Sequence, residues 1–206
     1  MVTMRTESPG DFWNARFGAE DMVYGYGPNA FFEAQLAKLT PGRILLPGDG
    51  EGRNAVHAAL QGWSVRSFDA SSVGVQKALA LASKKDVTIE AEWGDASDWA
   101  PLEQFDAIAL CYLHLSEALR SGFHARVAQW LKPGGTLILE GFGPGQLSHS
   151  SGGPKSRPML FTTDMLAADF CELKATVLTT EKVVLDEGPY HQGPAEVTRM
   201  VAQRSA

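Results

Sequence analysis

The chain has 206 residues, 44% of them hydrophobic, a net charge of −6 and two cysteines. That apolar content can fill the core of one domain and excludes a disordered chain, while the acidic balance speaks against a nucleic-acid partner, whose phosphates call for a basic face. No apolar run reaches the roughly 18 residues of a membrane span, Met1 to Gly10 is too polar for a signal peptide, and Cys111 and Cys171 lack metal-ligand spacing, so a reducing, cytoplasmic setting is expected.

The first forty residues read as helix with a break. Tyr24-Gly25-Tyr26-Gly27-Pro28 must be a loop, because Gly and Pro forbid regular structure there. Asn29 is placed to cap a helix with Phe32, Leu36 and Leu39 on one face. From Arg43 the pattern alternates. Ile44 to Leu46 is a short buried strand, and Ala55 to Leu60 a helix ended by Gly62. Val65 to Asp69 is a second strand. Ser71 or Ser72 caps a helix with Val75, Leu79 and Ala82 on its apolar stripe. Val87 to Trp93 is a third strand, followed by Gly94-Asp95, and Asp106 to Cys111 is a fourth. Leu119, Phe123, Val127 and Trp130 mark a helix that stops at Lys132-Pro133-Gly134-Gly135. Thr136 to Glu140 is a fifth strand. Alternation at this spacing implies a parallel sheet with right-handed crossovers.

The end differs. Gly141 to Pro158, rich in Gly, Pro and Ser, is a long loop of the kind that often carries function. A short helix spans Thr163 to Phe170. Leu173 to Leu185 and Glu196 to Ala202 are β-rich and share the turn Asp186-Glu187-Gly188-Pro189, which predicts an antiparallel hairpin at the sheet edge.

The chemistry concentrates where the first strand ends, at Leu46-Pro47-Gly48-Asp49-Gly50-Glu51-Gly52-Arg53-Asn54. Glycines at alternate positions let the backbone turn tightly and approach a ligand, and the helix that follows presents free N–H groups. With Asp69 at the end of the next strand, this is how an open α/β sheet holds a ribose-bearing cofactor. A nicotinamide fingerprint needs G-x-G-x-x-G, but Arg53 stands where its third glycine should be, and no Gly-Lys-Ser/Thr follows to make a phosphate loop.

The G-x-G-x-G spacing, Asp69, Gly94-Asp95 and Lys132-Pro133-Gly134-Gly135, each at a strand end, resemble the class I S-adenosylmethionine-dependent methyltransferases. The likeness extends over nearly the whole chain. Trp13 to Phe32 with its Tyr-Gly-x-x-Pro-Asn element is similar to the small tellurite-resistance-type methyltransferases and their uncharacterised bacterial relatives. So are Gly50 to Ala55, Glu140-Gly141-Phe142, Ser151 to Pro154, and Glu187-Gly188-x-x-His191-x-Gly193. The resemblance implies a Rossmann-like α/β fold: a seven-stranded, mostly parallel sheet with an antiparallel C-terminal hairpin and helices on both faces. It implies one methyltransferase domain over 1–206, with 1–40 a helical lid region and 41–206 the core.

The cofactor implied is S-adenosyl-L-methionine, held by Tyr24, Gly48, Asp49, Gly50, Gly52, Arg53, Asn54, Asp69, Ala70, Ser71, Asp95, Ala96 and Cys111. Asp69 is expected to take the ribose hydroxyls and Asp95 the adenine amino group, with the Ala96 N–H on the ring. One position departs from the general pattern: Leu46 stands where an acid usually lies, so contact with the methionine amino group must come from elsewhere. Tyr24 and Tyr26 are read as a lid over the cofactor, and Tyr26, His114, Glu140 and Arg199 as substrate-pocket residues. His191 is the catalytic candidate, and no spacing calls for a metal.

The reaction implied is methyl transfer to a small-molecule nucleophile such as a soft thiol or chalcogen anion. A non-catalytic S-adenosylmethionine-binding module and a nicotinamide-dependent reductase are the alternatives. No membrane partner is implied, and the sequence sets no oligomeric state.

Overall fold

The computed structural model describes residues 8–206, so most of the polar stretch from Met1 to Gly10 lies outside the described residues. Helix α1 (Pro9–Phe17) starts at a capping box: Ser8 accepts from the Asp11 N–H, and the Asp11 carboxylate accepts from the Ser8 N–H. Helix α2 (Ala30–Leu36) is capped by Asn29, whose Oδ1 accepts from the Phe32 N–H at 2.8 Å.

The alternating region follows as β1 (Arg43–Pro47), α3 (Arg53–Leu60), β2 (Ser64–Asp69), α4 (Ser72–Lys84) and β3 (Glu90–Trp93). Then come β4 (Phe105–Cys111), α5 (Glu117–Trp130), β5 (Leu131–Phe142), α6 (Thr163–Asp169), β6 (Leu173–Asp186) and β7 (Gln192–Arg204).

The strands form one seven-stranded sheet in the order β3-β2-β1-β4-β5-β7-β6. The first five run parallel, and β7 is antiparallel to both β5 and β6. The hairpin therefore closes the sheet with β7 inside and β6 on the edge. Chain order reverses at β1, whose neighbours are β2 and β4. That switch point opens a crevice beyond the strand C-termini.

The apolar run of β1 serves two faces. Leu45 joins Ile108, Leu137 and Leu139 against α5 and α6 through Phe123, Val127 and Leu166. Ile44 and Leu46 join Val65, Ala107 and Ile138 on the other face, under Phe32 and Leu36 of α2, Val56 of α3 and Leu81 of α4. A buried parallel strand covered by helices on both sides must be apolar at successive positions.

Several boundaries differ from expectation. The buried stripe of α4 is Gly74, Val75, Ala78, Leu81 and Ala82. Leu79 lies off it and is 43% exposed, as is Leu119 on α5 at 39%. β3 starts at Glu90 rather than Val87. Helix α5 passes directly into β5 at Leu131, and Lys132 to Gly135 form a bulge between the pairs Phe105–Leu131 and Ala107–Thr136. Gly134, at φ +78°, makes that excursion possible.

The segment from Gly141 to Pro158 contains a 3₁₀ helix at Pro144–Ser148 and is pinned to β7. Gln146 accepts from the Glu196 N–H at 3.0 Å, and the Ser151 hydroxyl donates to the Pro194 carbonyl at 2.6 Å. Among the described residues no helix is long and apolar enough to cross a membrane.

Candidate active site

At the crevice a cavity of about 710 Å³ opens between the strand ends, α1 and the turn joining β6 to β7. This is within the range of roughly 300–1,000 Å³ usual for small-molecule sites. Its first half is built on the glycine loop. The Gly48 N–H donates to the Phe68 carbonyl at 2.7 Å, which ties the loop to the end of β2. Asp69 closes the same corner: its Oδ2 accepts from the Gly50 N–H at 2.9 Å and its Oδ1 from the Ser71 N–H at 2.8 Å. Burial pushes its carboxyl upward against those two bonds. Each oxygen keeps a lone pair for a further donor, which suits a pair of vicinal hydroxyls.

Asp49 spans the start of α3. It accepts from Asn54 Nδ2 and from the Ala55 N–H, both at 3.0 Å, and burial raises its carboxyl to about 7. Asp95 accepts from the Ser97 N–H at 2.8 Å and reaches the wall beside Gly94 and Ala96. The Ala96 carbonyl is held by the Arg126 guanidinium.

Of the cofactor residues expected, Tyr24, Gly48, Asp49, Gly50, Arg53, Asn54, Asp69, Ala70, Asp95, Ala96 and Cys111 all reach the cavity wall. Gly52 and Ser71 do not. A Cβ at Gly52 would stand 2.5 Å from Ala78 Cβ at a φ of +85°, so this glycine serves the close approach of α3 to α4. Ser71 caps α4 through the Gly74 N–H and donates to Asn14 Oδ1 at 2.7 Å, tying α1 to the core. The Cys111 thiol is held well above its usual range by burial and stays protonated.

The second half is aromatic. His191 is 5% exposed and packs among Tyr24, Tyr112 and Phe142, with ring centroids 4.5, 4.4 and 5.2 Å away. Its Nδ1 is buried without a hydrogen-bond partner, 3.6 Å from Glu187 Oε2. Burial lowers its pKa, opposed by Glu187, so the ring is neutral at pH 7. Burial also opposes ionisation of Glu187, but His191 and Arg53 outweigh it and hold that carboxyl at about 2.

The remaining pocket residues are placed differently from expectation. Tyr26 is 61% exposed and lies off the wall. Glu140 and Arg199 sit behind the wall, because both are consumed by one another and by neighbours. Glu140 Oε1 accepts from Asn29 Nδ2 at 2.6 Å and from the Tyr112 hydroxyl at 2.9 Å, and its Oε2 accepts from Arg199 Nε at 2.5 Å. Arg199 also donates to Glu181.

His114 reaches the wall through its ring, but both nitrogens are engaged. Nδ1–H donates to the Met159 carbonyl at 2.7 Å, and Nε2 accepts from the Phe142 N–H at 3.0 Å. Burial drives its pKa to about 4, so it is a fixed neutral strut.

Sequence reasoning missed five contributing residues. Tyr112 directly follows Cys111 at a φ of +55°, a left-handed conformation that strains a bulky residue and turns its ring onto His191. Its strand-end position was the only legible signal. Trp13, Arg16 and Phe17 of α1 line the cavity roof, Trp13 stacked on Phe17 at 5.4 Å. Glu187 entered only as part of a motif, yet it accepts from Arg53 Nη2 at 2.7 Å and from Asn29 Nδ2 at 3.1 Å. Among the described residues no group of three or more His, Cys, Asp or Glu is arranged to hold a metal ion.

A switch-point cavity with a glycine loop, a strand-end carboxylate with spare lone pairs and an aromatic second half defines a Rossmann-like site for a nucleoside-bearing cofactor. Residues 44–135, from β1 into the bulge of β5, match the family model described as a methyltransferase domain. The matched stretch is a little under half of the chain and holds the glycine loop, Asp69, Asp95 and Cys111. A search of curated proteins finds no match.

Among solved structures, one concerned with the conversion of a disulfide bond into a thioacetal group during echinomycin biosynthesis is similar, with a TM-score of 0.78 and 16% identity, over 95% of this chain and 91% of that one. TehB from Haemophilus influenzae has a TM-score of 0.69 and 14% identity, over 95% of this chain and 67% of that one. Magnesium protoporphyrin IX methyltransferase (ChlM) from Synechocystis PCC 6803, solved with bound SAH, has a TM-score of 0.67 and 16% identity, over 95% and 98%. At these identities the likeness is one of fold.

Proposed function

We propose that this enzyme methylates a small, largely apolar nucleophile bound between the roof formed by α1 and Tyr24 and the His191 turn, with a thiol or chalcogen anion as the preferred acceptor. We read the chain as one catalytic unit, residues 1–40 serving as the lid and 41–206 as the core, in a reducing cytoplasm where Cys111 and Cys171 stay as free thiols. The observation that carries this reading is that His191, a neutral imidazole, shares one cavity with the glycine loop and Asp69.

In this reading Gly48, Gly50 and Asp69 hold the cofactor by backbone and ribose, Asp95 and the Ala96 N–H its adenine, and Asp49 lies where a cationic group of the methionine end would find a carboxylate. The bound cofactor supplies an electrophilic sulfonium methyl group. The protein supplies orientation and exclusion of water. Aromatic rings and sulfur attract one another, which favours a thiol beside Tyr24, Tyr112 and Phe142. When the acceptor is a neutral thiol, His191 takes its proton as the new bond to carbon forms, whereas an acceptor that is already an anion needs no base.

The test is turnover of S-adenosylmethionine against a panel containing thiophenol, 2-mercaptoethanol, selenite, phenol and aniline. Faster methylation of thiophenol than of phenol and aniline supports the reading. Preference for phenol or aniline overturns the soft-acceptor assignment.

A further inference from the structure

The proposed base has one ring nitrogen with nothing to bond to and one carboxylate beside it. His191 Nδ1 is the one buried side-chain nitrogen or oxygen without a hydrogen-bond partner among the described residues. A buried polar atom left unpaired is costly, and native proteins rarely keep one without a use. Its nearest acid oxygen is Glu187 Oε2, four residues back in the same turn and 3.6 Å away. That distance is too long for a hydrogen bond in this state, and such contacts often tighten only when a site is loaded.

Glu187 is itself held from three sides. Arg53 Nη2 and Asn29 Nδ2 donate to its two oxygens, and its backbone N–H donates to the His191 carbonyl at 2.8 Å. On the opposite edge of the imidazole, Cδ2 and Nε2 face Gly152, next to Gly153 and Pro154 of the cavity wall.

We infer that Glu187 is a positioning residue for His191: it keeps the ring proton on Nδ1, leaves the Nε2 lone pair to face the acceptor side, and supports the imidazolium formed when Nε2 takes a proton. The inference rests on the proposed role of His191. The atoms balance within the pair. The acceptor's proton goes to Nε2, Nδ1 keeps its own, and the positive charge that results stands against a carboxylate already ionised.

The alternatives for charge support are weaker. Arg53 is a cation and opposes an imidazolium. Glu140 is spent on Asn29, Tyr112 and Arg199. Tyr24 and Tyr112 pack their rings against the imidazole as neutral phenols with their hydroxyls engaged by Arg16 and Glu140, and His114 is locked neutral. That leaves Glu187 as the one ionised acid with an oxygen at Nδ1.

The test uses the full chain with ¹⁵N-labelled histidine, saturated with S-adenosylhomocysteine, so that no acceptor need be known. Nitrogen-detected spectra report the tautomer and titration of His191. In the parent protein the neutral ring should carry its proton on Nδ1. In Glu187→Gln the titration midpoint of His191 should fall by at least about one pH unit, as expected on losing an opposite charge within about 4–6 Å. Glu187→Asp should restore part of that shift. Affinity for S-adenosylhomocysteine, measured by calorimetry, should stay within about threefold, which shows that the variants are folded.

An unmoved titration midpoint, or a parent ring protonated on Nε2, overturns the inference. Turnover of thiophenol by His191→Gln is the separate check on the underlying reading: full activity there overturns the catalytic role of His191, whatever the spectra show.

Discussion

Arg53 and Glu187 stand 134 positions apart and meet as an ion pair 2.7 Å long, buried where the glycine loop, the lid and the hairpin turn converge. Arg53 also donates to the Gly27 carbonyl of the lid at 3.3 Å. Removing one member of a buried pair leaves an uncompensated charge and typically costs about 3–5 kcal/mol. Arg53→Met should therefore cost about 3 kcal/mol, the low end, because Asn29 still supports Glu187. For a chain of this length that lowers Tm by roughly 6–12 °C. Scanning calorimetry checks it. Adding Glu187→Gln should recover part of the loss, since the two residues share one interaction.

Asp69 has two duties. Asp69→Ala should weaken S-adenosylhomocysteine binding by about tenfold to several hundredfold, the worth of one or two bonds to a charged acceptor. It should also destabilise the free protein, because the Gly50 and Ser71 N–H groups lose their acceptor. Asp69→Asn keeps an oxygen for one of them and should retain more stability than affinity. Calorimetric titration and thermal denaturation on the same samples separate the two effects. Affinity unchanged in both variants would confine Asp69 to holding the loop.

The lid meets the hairpin turn at glycine. A Cβ on Gly188 would lie 2.5 Å from the Gly25 nitrogen and 2.8 Å from the Tyr24 carbonyl carbon, at a φ of +86°. Both neighbours are backbone and cannot yield cheaply. Gly188→Ala should cost about 1–3 kcal/mol and pull the Tyr24 to Asn29 segment from the turn. Faster proteolytic cleavage within 24–29, slowed again by S-adenosylhomocysteine, is the expected result. Identical cleavage in parent and variant would show that the turn does not hold the lid.

His191 sets the sign of the pH response. Burial places its pKa below the ordinary value near 6.5. A base works deprotonated, so kcat/KM should rise with pH through a midpoint below about 6.5 and level off by about pH 7. His191→Gln should lower kcat by about a hundredfold or more and abolish that acid limb, with cofactor affinity little changed. A rate that falls as pH rises through the same range would mean that the protonated ring binds an anionic acceptor instead.

Much of this was legible one residue at a time. The alternation of apolar runs and caps predicted five parallel strands and a terminal hairpin. The glycine loop and Asp69 were expected together at the strand ends and do meet in one corner of the cavity, because glycine spacing and a strand-end acid are local features. The apolar stripes of α4 and α5 were misread at Leu79 and Leu119, where helical spacing cannot tell a contact with the sheet from a rim position. The stop expected at Lys132 to Gly135 is a bulge inside β5, since those residues break a ladder as readily as a helix.

What the order of residues could not contain is which groups spend their bonding capacity on one another. His114 and His191 are both histidines on loops beside the same cavity. Only the fold gives His114 the Met159 carbonyl and the Phe142 N–H, and leaves His191 with a carboxylate 3.6 Å from one nitrogen. Glu140 and Arg199 looked like pocket residues until β5 and β7 paired them in register. Local sequence determines backbone conformation because caps, glycines and apolar periods act within a few residues. The chemistry of a buried polar group depends on partners brought from elsewhere in the chain, 28 positions away for the Phe142 N–H on His114 and 134 for Glu187 on Arg53, and the tertiary structure alone decides that.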